Sequence, residues 1–456
     1  MIARSDAPLV IDGAHVATVS GPEYPSGHIV VADGRVAAVG PGPAPDIAGA
    51  ARVDGAGCLA TPGLVNTHHH LYQWATQGLV PDGTLFEWLV ASYPVWARLD
   101  AEAVADTTTA GLAWLALSGC STASDHHYVF PRGRGDIVAA EVAAARAVGV
   151  RLDLARGSMD RGVSRGGLPP DAIVEERDAA LEATAAAIEE HHDRGFDSMT
   201  RLAVAPCSPF SVSRELMTGA ATLARALGVR MHTHLAETVE EEERCQAEFG
   251  CTPVEYAEKL GWLGPDVWLA HAVHLSDSAI ARIAATGTGV AHCPTSNARL
   301  GAGIARVSEL LAAGVSVGLG VDGPASSELT SLVGEARQAL LMARARRGPA
   351  ALSARQALEI ATLGGARCLG RQAELGSLEV GKLADIALWR VDGFGRDVLP
   401  DPVVALVFGP PPPLERLLVG GRTVVERGEL RTVAADAAAA AGRRAHRALT
   451  GEADRR

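Results

Sequence analysis

Two closely spaced histidines and two later residues, one histidine and one aspartate, could together form a metal site. His68 and His70 are separated by one residue at the end of a short apolar segment. Because alternate residues of a β-strand point to the same side, these two imidazoles can face one direction while His69 faces the other. Two imidazoles at this spacing supply half of the ligands of a zinc site. His234 and Asp322 end two later apolar segments and could complete the set.

Each of these residues has an ordinary structural explanation when it is taken alone. A single histidine at a strand end is commonly a hydrogen-bonded structural group, and Asp322-Gly323 alone would be a turn. The recurrence of such residues after the first, fifth and eighth apolar segments favours the metal-site interpretation. Three histidines and a carboxylate leave a position for water, and zinc would lower the pKa of that water toward neutrality and supply hydroxide. Fe²⁺ could use the same ligands.

Eight short apolar segments, separated by alanine-rich stretches of helical character, must position these side chains. The segments cover residues 63–66, 120–125, 150–155, 201–205, 229–234, 267–271, 289–292 and 315–322. Strands that alternate with helices predict parallel βα units, and eight such units predict an α/β fold of the closed (β/α)8 TIM-like barrel type. Active residues of such barrels lie at the carboxyl ends of the strands, where the candidate ligands stand.

Segments near both ends of the chain are rich in β-forming residues and in turns such as Asp33-Gly34 and Gly420-Gly421. We expect them to form one small β-sandwich domain together. The predicted organisation is a first part of the small β domain at 1–60, the metal-dependent barrel at 61–373, a second part of the β domain at 374–431, and a helical tail at 432–456. Packing of this amphipathic tail on the protein surface is favoured over a partner-binding role.

Composition limits the partners and the compartment. The formal net charge of −12 over 456 residues would repel a polyanion, so we expect no nucleic-acid ligand. The absence of any run of about 18 uncharged apolar residues predicts no membrane span, and residues 1–13 lack the features of a signal peptide. Seven scattered cysteines without a CxxC pair favour reduced thiols. We expect a cytoplasmic homo-oligomer.

The chain resembles the deaminase and chlorohydrolase branch of the amidohydrolase superfamily over residues 10–429. The motifs that carry this resemblance are PGLVNTHHH at 62–70, HLAE at 234–237, AHAVH at 270–274, VDG at 321–323 and GSLEVGKLAD at 376–385. Carried over residue by residue, the resemblance implies that one zinc ion is ligated by His68, His70, His234 and Asp322.

The resemblance also implies the roles of three catalytic residues. Glu237 shuttles protons to the ring nitrogen beside the carbon under attack, which a poor leaving group requires. His271 orients or polarises the attacking hydroxide, and Asp322 accepts the proton of that hydroxide. The implied reaction is attack on an amidine carbon, collapse of a tetrahedral intermediate and loss of ammonia.

The lysine content favours a mononuclear site within this superfamily. Binuclear members bridge two metals with a carboxylated lysine on the fourth strand. This chain has only Lys259 and Lys382, and neither lies near residues 201–205. Members that became non-catalytic have usually lost ligands, whereas the ligand set here is complete. A metal-binding protein without enzymatic activity is therefore the less favoured alternative.

The resemblance to 8-oxoguanine deaminases in particular rests on several loops, at 69–74, 125–131, 156–159, 166–170 and 205–211. Nucleoside deaminases usually have a histidine where Cys207 stands and a ribose-binding glutamate near Trp96, and guanine deaminases tend to have an arginine near Cys207. The predicted reaction is 8-oxoguanine plus water to uric acid plus ammonia. Isoxanthopterin, a hydroxyatrazine-type triazine, guanine and a nucleoside remain alternative substrates.

The residues of these loops suggest how a flat heterocycle is held. Such a ligand needs apolar walls and a few fixed polar groups, and the Gln73 amide can both donate and accept. The nearby tryptophans could equally be core residues, and His127 could contact a substrate oxygen or cap the second strand. We predict six substrate-binding residues: Tyr72, Gln73, Trp96, His127, Cys207 and Ser208.

Overall fold

The structure is a computed structural model that describes residues 7–451. Strands β1 to β5 cover Leu9–Val16, Tyr24–Ala32, Arg35–Pro41, Ala51–Asp54 and Cys58–Pro62. Strands β6 to β13 cover Leu64–Asn66, Cys120–His127, Arg151–Ser158, Thr200–Pro206, Met231–Leu235, Val267–His271, Gly289–His292 and Val317–Leu319. Strands β14 to β17 cover Ile386–Arg390, Leu414–Val419, Arg422–Glu426 and Glu429–Leu430. Residues 1–6 and 452–456 lie outside the described residues. The first range belongs to the predicted β-domain part at 1–60 and to the stretch 1–13 that lacks signal-peptide features. The second range belongs to the predicted tail at 432–456.

Strands β6 to β13 form a closed parallel barrel in chain order. The ring closes where Leu319 of β13 pairs with Asn66 of β6. Every residue of β7 and β8 is buried, because helices cover the outside of the barrel and the inside is packed. Each of the eight predicted apolar segments overlaps one barrel strand, which confirms the predicted (β/α)8 fold.

Within the described residues, helices α1 to α15 cover Leu85–Trp96, Ala101–Leu117, Ile137–Val148, Arg177–His191, Arg214–Leu227, Val239–Phe249, Pro253–Lys259, Asp277–Thr286, Pro294–Arg299, Val307–Ala312, Leu332–Arg347, Ala354–Glu359, Gly365–Cys368, Pro402–Phe408 and Ala435–Thr450. Side-chain caps begin many of these helices; Asp136, for example, accepts a hydrogen bond from the Ala139 N–H at the start of α3. None of the helices within residues 7–451 has the length and apolar character that crossing a membrane requires.

The two ends of the chain form one mixed sheet beside the barrel. The nine strands of this sheet, within the described residues, are β1 to β5 and β14 to β17. The two halves join where β5 and β14 pair antiparallel, from Ile386 with Pro62 to Arg390 with Cys58. The predicted sandwich thus takes the form of one continuous hydrogen-bonded sheet. β5 ends and β6 begins within residues 62–64, so the sheet leads directly into the barrel.

A buried ion pair connects the sheet to the barrel. Arg151, at the start of β8, donates two hydrogen bonds to the carboxylate of Asp385, with Nε to Oδ2 at 2.9 Å and Nη2 to Oδ1 at 3.0 Å. The two side chains are only 1% and 2% exposed. The carbonyls of Asp197 and Ser198 accept from Nη1 of the same guanidinium, so each of its three nitrogens donates a hydrogen bond.

The tail helix α15 packs on the outside of the barrel. It lies against α2 and against a 3-10 turn at Leu71–Thr76, which follows directly after the candidate ligand His70. The ring of His446 hydrogen-bonds through Nδ1 to the Ala75 carbonyl at 2.8 Å. The tail therefore supports the loop that leads away from the candidate metal site.

Candidate metal centre and active site

The four predicted metal ligands meet at the carboxyl end of the barrel. His68 and His70 follow β6, His234 lies in β10 and Asp322 follows β13. The Nε2 atom of His70 is 3.2 Å from Nε2 of His234 and 3.3 Å from Oδ1 of Asp322. His68 Nε2 lies 3.4 Å from the same carboxylate oxygen. All four side chains are buried.

Backbone carbonyls determine which nitrogen of two ligand rings carries the proton. Nδ1 of His70 lies 2.7 Å from the carbonyl of His126, and Nδ1 of His234 lies 2.7 Å from the carbonyl of Cys207. A carbonyl only accepts, so each Nδ1 must be the donor, and each Nε2 of the neutral ring presents a lone pair. Burial lowers the pKa of His70 to about 4 and that of His234 well below its usual range, so both rings are neutral at pH 7.

His68 is oriented through a second histidine that the sequence interpretation missed. Nδ1 of His232 donates to the carbonyl of Trp268 at 2.8 Å, so its Nε2 must accept from Nδ1 of His68, also at 2.8 Å. The Nε2 atom of His68 is then left with a lone pair and has no hydrogen-bond partner in the described part of the chain. The available signal was strand alternation, because His232 stands two residues before His234 and points to the same side.

These residues fit a divalent metal ion. Three nitrogen lone pairs and one carboxylate oxygen face one another, with His70 3.2 Å from His234 and both His70 and His68 within 3.4 Å of Oδ1 of Asp322. No proton lies between the Nε2 atoms of His70 and His234. Such an arrangement is repulsive until a cation stands among the donors, because buried acceptors without a donor are costly. Three imidazoles and one carboxylate are ligands that zinc accepts in proteins. The chain therefore has a His/Asp group able to bind metal.

Asp322 accepts hydrogen bonds on both of its carboxylate oxygens. Oδ2 accepts from Oγ of Ser296 at 2.5 Å and from Oγ of Ser326 at 3.2 Å, and Oδ1 accepts from the Gly323 N–H at 2.8 Å. Burial raises the pKa of Asp322, but the nearby imidazoles of His68 and His271 outweigh that effect and hold the pKa well below its usual range. The carboxylate is therefore ionised and pointed at the ligand histidines.

Glu237 and His271 face each other across the same space. Oε2 of Glu237 lies 3.6 Å from Nε2 of His271, and both side chains are buried. The backbone at Glu237 is held by Glu241 of α6, whose carboxylate accepts from the N–H groups of Ala236 and Glu237. Burial raises the pKa of Glu237 to about 7, so both of its protonation states are accessible at neutral pH.

Asn297, also missed by the sequence interpretation, orients His271. Its Oδ1 lies 3.0 Å from Nδ1 of His271, which directs Nε2 toward Glu237. Burial lowers the pKa of His271, but the carboxylates of Glu237 and Asp322 and the bond to Asn297 raise it above its usual value overall. No motif around residue 297 singled it out, since it lies in the short helix α9.

Backbone strain is concentrated at this site. Nine residues other than glycine have left-handed φ angles within residues 7–451, and four of them are at the strand ends of the site: Ala236, His271, Ala272 and Asp322. Left-handed backbone costs about 1–3 kcal/mol at a residue with a Cβ atom and persists where the surroundings impose it. The functional loops are thus held in costly conformations that aim their side chains inward.

A cavity opens above the ligands, with apolar walls. It is lined by His70, Gln73, Leu85, Trp88, Leu89, Tyr93, Tyr128, Cys207, Ser208, Phe210, His234, Glu237, His271, Leu300 and Asp322. Three of the six predicted substrate-binding residues, Gln73, Cys207 and Ser208, belong to this lining. Both polar atoms of the Gln73 side chain are buried without a hydrogen-bond partner in the described structure. Burial raises the pKa of the Cys207 thiol to about 12, so it stays protonated.

The other three predicted substrate-binding residues, Tyr72, Trp96 and His127, are not among the residues that line the cavity. Trp96 donates from Nε1 to Oγ1 of Thr76 at 3.1 Å and packs edge-on against Tyr72. His127 lies 3.0 Å from the Val129 carbonyl through Nε2, and its other ring nitrogen faces Glu141. The local sequence does not show which tryptophan lines the cavity. Trp88 and Trp96 are both buried residues of α1, but only Trp88 belongs to the cavity lining.

Comparison with known proteins extends these observations. The model of the amidohydrolase family matches residues 59–424. The chain is 44% identical to the 8-oxoguanine deaminase of Pseudomonas aeruginosa over 87% of this chain and 89% of that protein. It is 37% identical to the hydroxydechloroatrazine ethylaminohydrolase of Pseudomonas sp. strain ADP, over 88% and 86%.

A solved structure agrees with the fold. The zinc-complexed atrazine chlorohydrolase of Arthrobacter aurescens TC1 superposes with a TM-score of 0.91 at 31% identity, over 96% of this chain and 100% of that one. These relatives support a deaminase or aminohydrolase activity on heterocycles. The family match spans most of the chain, and we conclude that this protein belongs to the amidohydrolase family and is a hydrolase that acts on C–N bonds.

Proposed function

We propose that this protein deaminates a free purine base, with 8-oxoguanine and water giving uric acid and ammonia. The observation that carries this proposal is the juxtaposition of the four-ligand centre, Glu237 and the unpaired amide of Gln73 around one cavity with apolar walls. The relative named 8-oxoguanine deaminase, at 44% identity, supports the same substrate.

The metal in this proposal is one zinc ion, with Fe²⁺ as the alternative, held by His68, His70, His234 and Asp322. When bound, zinc lowers the pKa of water toward neutrality and so supplies a hydroxide nucleophile. Because the ligand rings are fixed in their tautomers before binding, no rearrangement of protons is needed. β9, the fourth barrel strand, carries no lysine, which supports a mononuclear centre.

The protein's own residues then move two protons. Glu237 accepts the proton of the attacking water and delivers it to the ring nitrogen beside the carbon under attack. Asp322, ionised and held by its serine donors, accepts the second proton, which the leaving amine takes up. His271, oriented by Asn297, directs the nucleophile. The exocyclic C–N bond breaks, ammonia leaves, and the carbonyl of uric acid replaces the amine.

The cavity favours a neutral heterocycle over a phosphorylated one. Among the described residues that line it there is no arginine or lysine, which a phosphate group would require. Trp88, Tyr93 and Phe210 supply flat walls, and the Gln73 amide can pair with an amide-like ring edge. Cys207 stands where a nucleoside deaminase usually carries a histidine, and guanine deaminases tend to carry an arginine near this position.

A substrate screen tests the proposal. Ammonia release and the absorbance change of uric acid formation are measured with 8-oxoguanine, guanine, isoxanthopterin, a hydroxyatrazine and a nucleoside. We expect the highest kcat/KM with 8-oxoguanine, loss of activity after chelation, and recovery on addition of zinc. Activity confined to a pterin, a triazine or a nucleoside would refute the substrate, and full activity of metal-free protein would refute the metal centre.

Two further properties are proposed with this function. All seven cysteines are buried and unpaired, which supports a reducing, cytoplasmic environment. The prediction of a homo-oligomer is tested by size-exclusion chromatography with light scattering, where a mass of one chain would contradict it.

A further inference from the structure

A second cluster of acidic and basic side chains lies behind the active site. Asp125 and His127 stand near the end of β7, and Glu141 reaches them from α3. All three are buried, with exposures of 0%, 1% and 0%. One ligand atom from each lies within 4.8 Å of the other two. None of them lines the cavity or takes part in the proposed reaction.

With its carboxyl groups ionised, the cluster consists of acceptors that face one another. Nε2 of His127 lies 3.0 Å from the Val129 carbonyl and must donate to it, so Nδ1 of the neutral ring carries a lone pair. That nitrogen lies 3.3 Å from Oε2 of Glu141. When both carboxyl groups are ionised, Nδ1 of His127, both oxygens of Glu141 and Oδ2 of Asp125 have no hydrogen-bond partner in the described structure. A proton held between Asp125 and Glu141 is the one donor available within the cluster.

We propose that Asp125, His127 and Glu141 bind a second divalent metal ion, separate from the catalytic one. Ligand atoms about 2.1 Å from a cation are spaced roughly 3.0–3.4 Å apart at tetrahedral or square angles. The 3.3 Å between His127 and Glu141 matches this spacing, as do the 3.2–3.4 Å separations in the catalytic centre. A hydrogen bond from a protonated carboxyl group would bring the two atoms to about 2.7–2.8 Å.

Charge supports the same assignment. Asp125 and Glu141 carry two negative charges once both are ionised, and a divalent cation neutralises them. Arg156, which acts electrostatically on His127, is already engaged by both oxygens of Glu175 at 2.8 and 2.7 Å. Burial raises the pKa of Glu141 to about 8 and that of Asp125 well above its usual range, so without a cation the cluster retains a proton, which metal binding would displace. An imidazole ligand favours zinc, manganese or iron over magnesium and calcium, which prefer oxygen ligands.

The second ion would position a ligand of the first. Oδ1 of Asp125 accepts from the N–H of Leu71, the residue after His70, at 2.5 Å. His126, between the two β7 ligands, offers the carbonyl that fixes the His70 ring. A cation that ties α3 to the end of β7 therefore holds two contacts of that catalytic ligand. The ion is structural and acts through position, because the cluster is closed to solvent.

Metal content and anomalous scattering test this proposal on the full chain. Purified wild-type protein should contain about two equivalents of zinc, manganese or iron, and Glu141→Gln should contain about one. Glu335→Gln is the matched control: Glu335 is equally buried with a pKa also raised to about 8, but its oxygens accept from the Thr295 N–H and the Ser327 hydroxyl. That variant should keep both equivalents.

Crystals of the wild-type protein decide the question independently of any folding defect in a variant. Anomalous difference maps at the metal edge should show one peak among the four catalytic ligands and another among Asp125, His127 and Glu141. A single peak at the catalytic centre, or an unchanged metal content in Glu141→Gln, would overturn the proposal. Neither measurement depends on the substrate, so failure of the proposed function would be recognised separately.

Discussion

Replacing Glu237 by glutamine separates proton transfer from metal binding at this site. Glutamine keeps the size of the side chain but can neither accept the proton of water nor deliver it to a ring nitrogen. Positioned general acid–base groups contribute about 10²–10⁴ to rate, or roughly 3–5 kcal/mol of transition-state stabilisation. We expect kcat of Glu237→Gln to fall by at least two orders of magnitude. The bound metal should stay, because Glu237 is not among the four ligands.

The same substitution should stabilise the metal-depleted protein. Glu237 has an ordinary pKa of 4.5 when unfolded and about 7 when folded, a difference that corresponds to roughly 3 kcal/mol. Because the folded state binds this proton more tightly, the carboxyl group lowers the free energy of unfolding progressively as pH rises from 4.5 to about 7, and fully above that. Glutamine does not titrate. The variant should therefore melt at a higher temperature than the wild type above pH 7, with no difference below pH 4.5.

Three measurements complete this test. Ammonia release gives kcat and KM from pH 5 to 9, elemental analysis gives bound metal, and thermal melts of the metal-depleted proteins give relative stability. The wild-type rate should decline as pH falls through about 7, because only the carboxylate form of Glu237 accepts a proton. Glu240→Gln, at the neighbouring exposed glutamate, is the control and should behave like wild type. Retained activity in Glu237→Gln, or loss of its metal, would refute the assigned role.

Three other substitutions probe the supports of the site and of the fold. Asn297→Ala removes the acceptor that orients His271, and kcat should fall about 10–100-fold with little change in KM in steady-state assays. His232→Phe removes the acceptor that fixes the first ligand ring, and competition with a chromogenic chelator should show about 10–100-fold weaker metal binding. Arg151→Met leaves the carboxylate of Asp385 buried without its cation, and denaturant unfolding should show a loss of about 3–5 kcal/mol.

The barrel could be predicted from sequence because its strands are short, apolar and regularly separated by helices. Each strand must bury both faces, so its residues form a continuous run rather than an alternating pattern. The ligand positions followed from the same reasoning, since parallel strands bring their carboxyl ends to one face of a barrel. The sequence predicted only that the two ends of the chain share one β domain. The pairing of β5 with β14 could not be predicted, because packing sets the register between distant segments.

The supporting residues of the site could not be predicted in this way. His232, Ser296 and Asn297 act through hydrogen bonds to ligands or catalytic groups that lie 26 to 164 residues away along the chain. Their local sequence resembles an ordinary strand or helix start. The cavity wall was also only partly predictable: His127 and Cys207 both occur in family-like loops, yet only Cys207 lines the cavity. The direction of a side chain from a loop depends on tertiary contacts that sequence spacing does not encode.

The geometry of the metal centre is a consequence of closing the barrel. The carbonyl that fixes His70 belongs to β7, the carbonyl that fixes His234 follows β9, and the carbonyl of Trp268 that acts through His232 belongs to β11. The rings of His70 and His234 are each oriented by a strand that neighbours their own, whereas His68 is oriented from across the barrel by His232 of β10. The lone pairs therefore converge only when strand pairing is in register. A one-residue slip would direct the ligands to the opposite side of their strands. Closing the barrel in register therefore also brings the candidate metal ligands together.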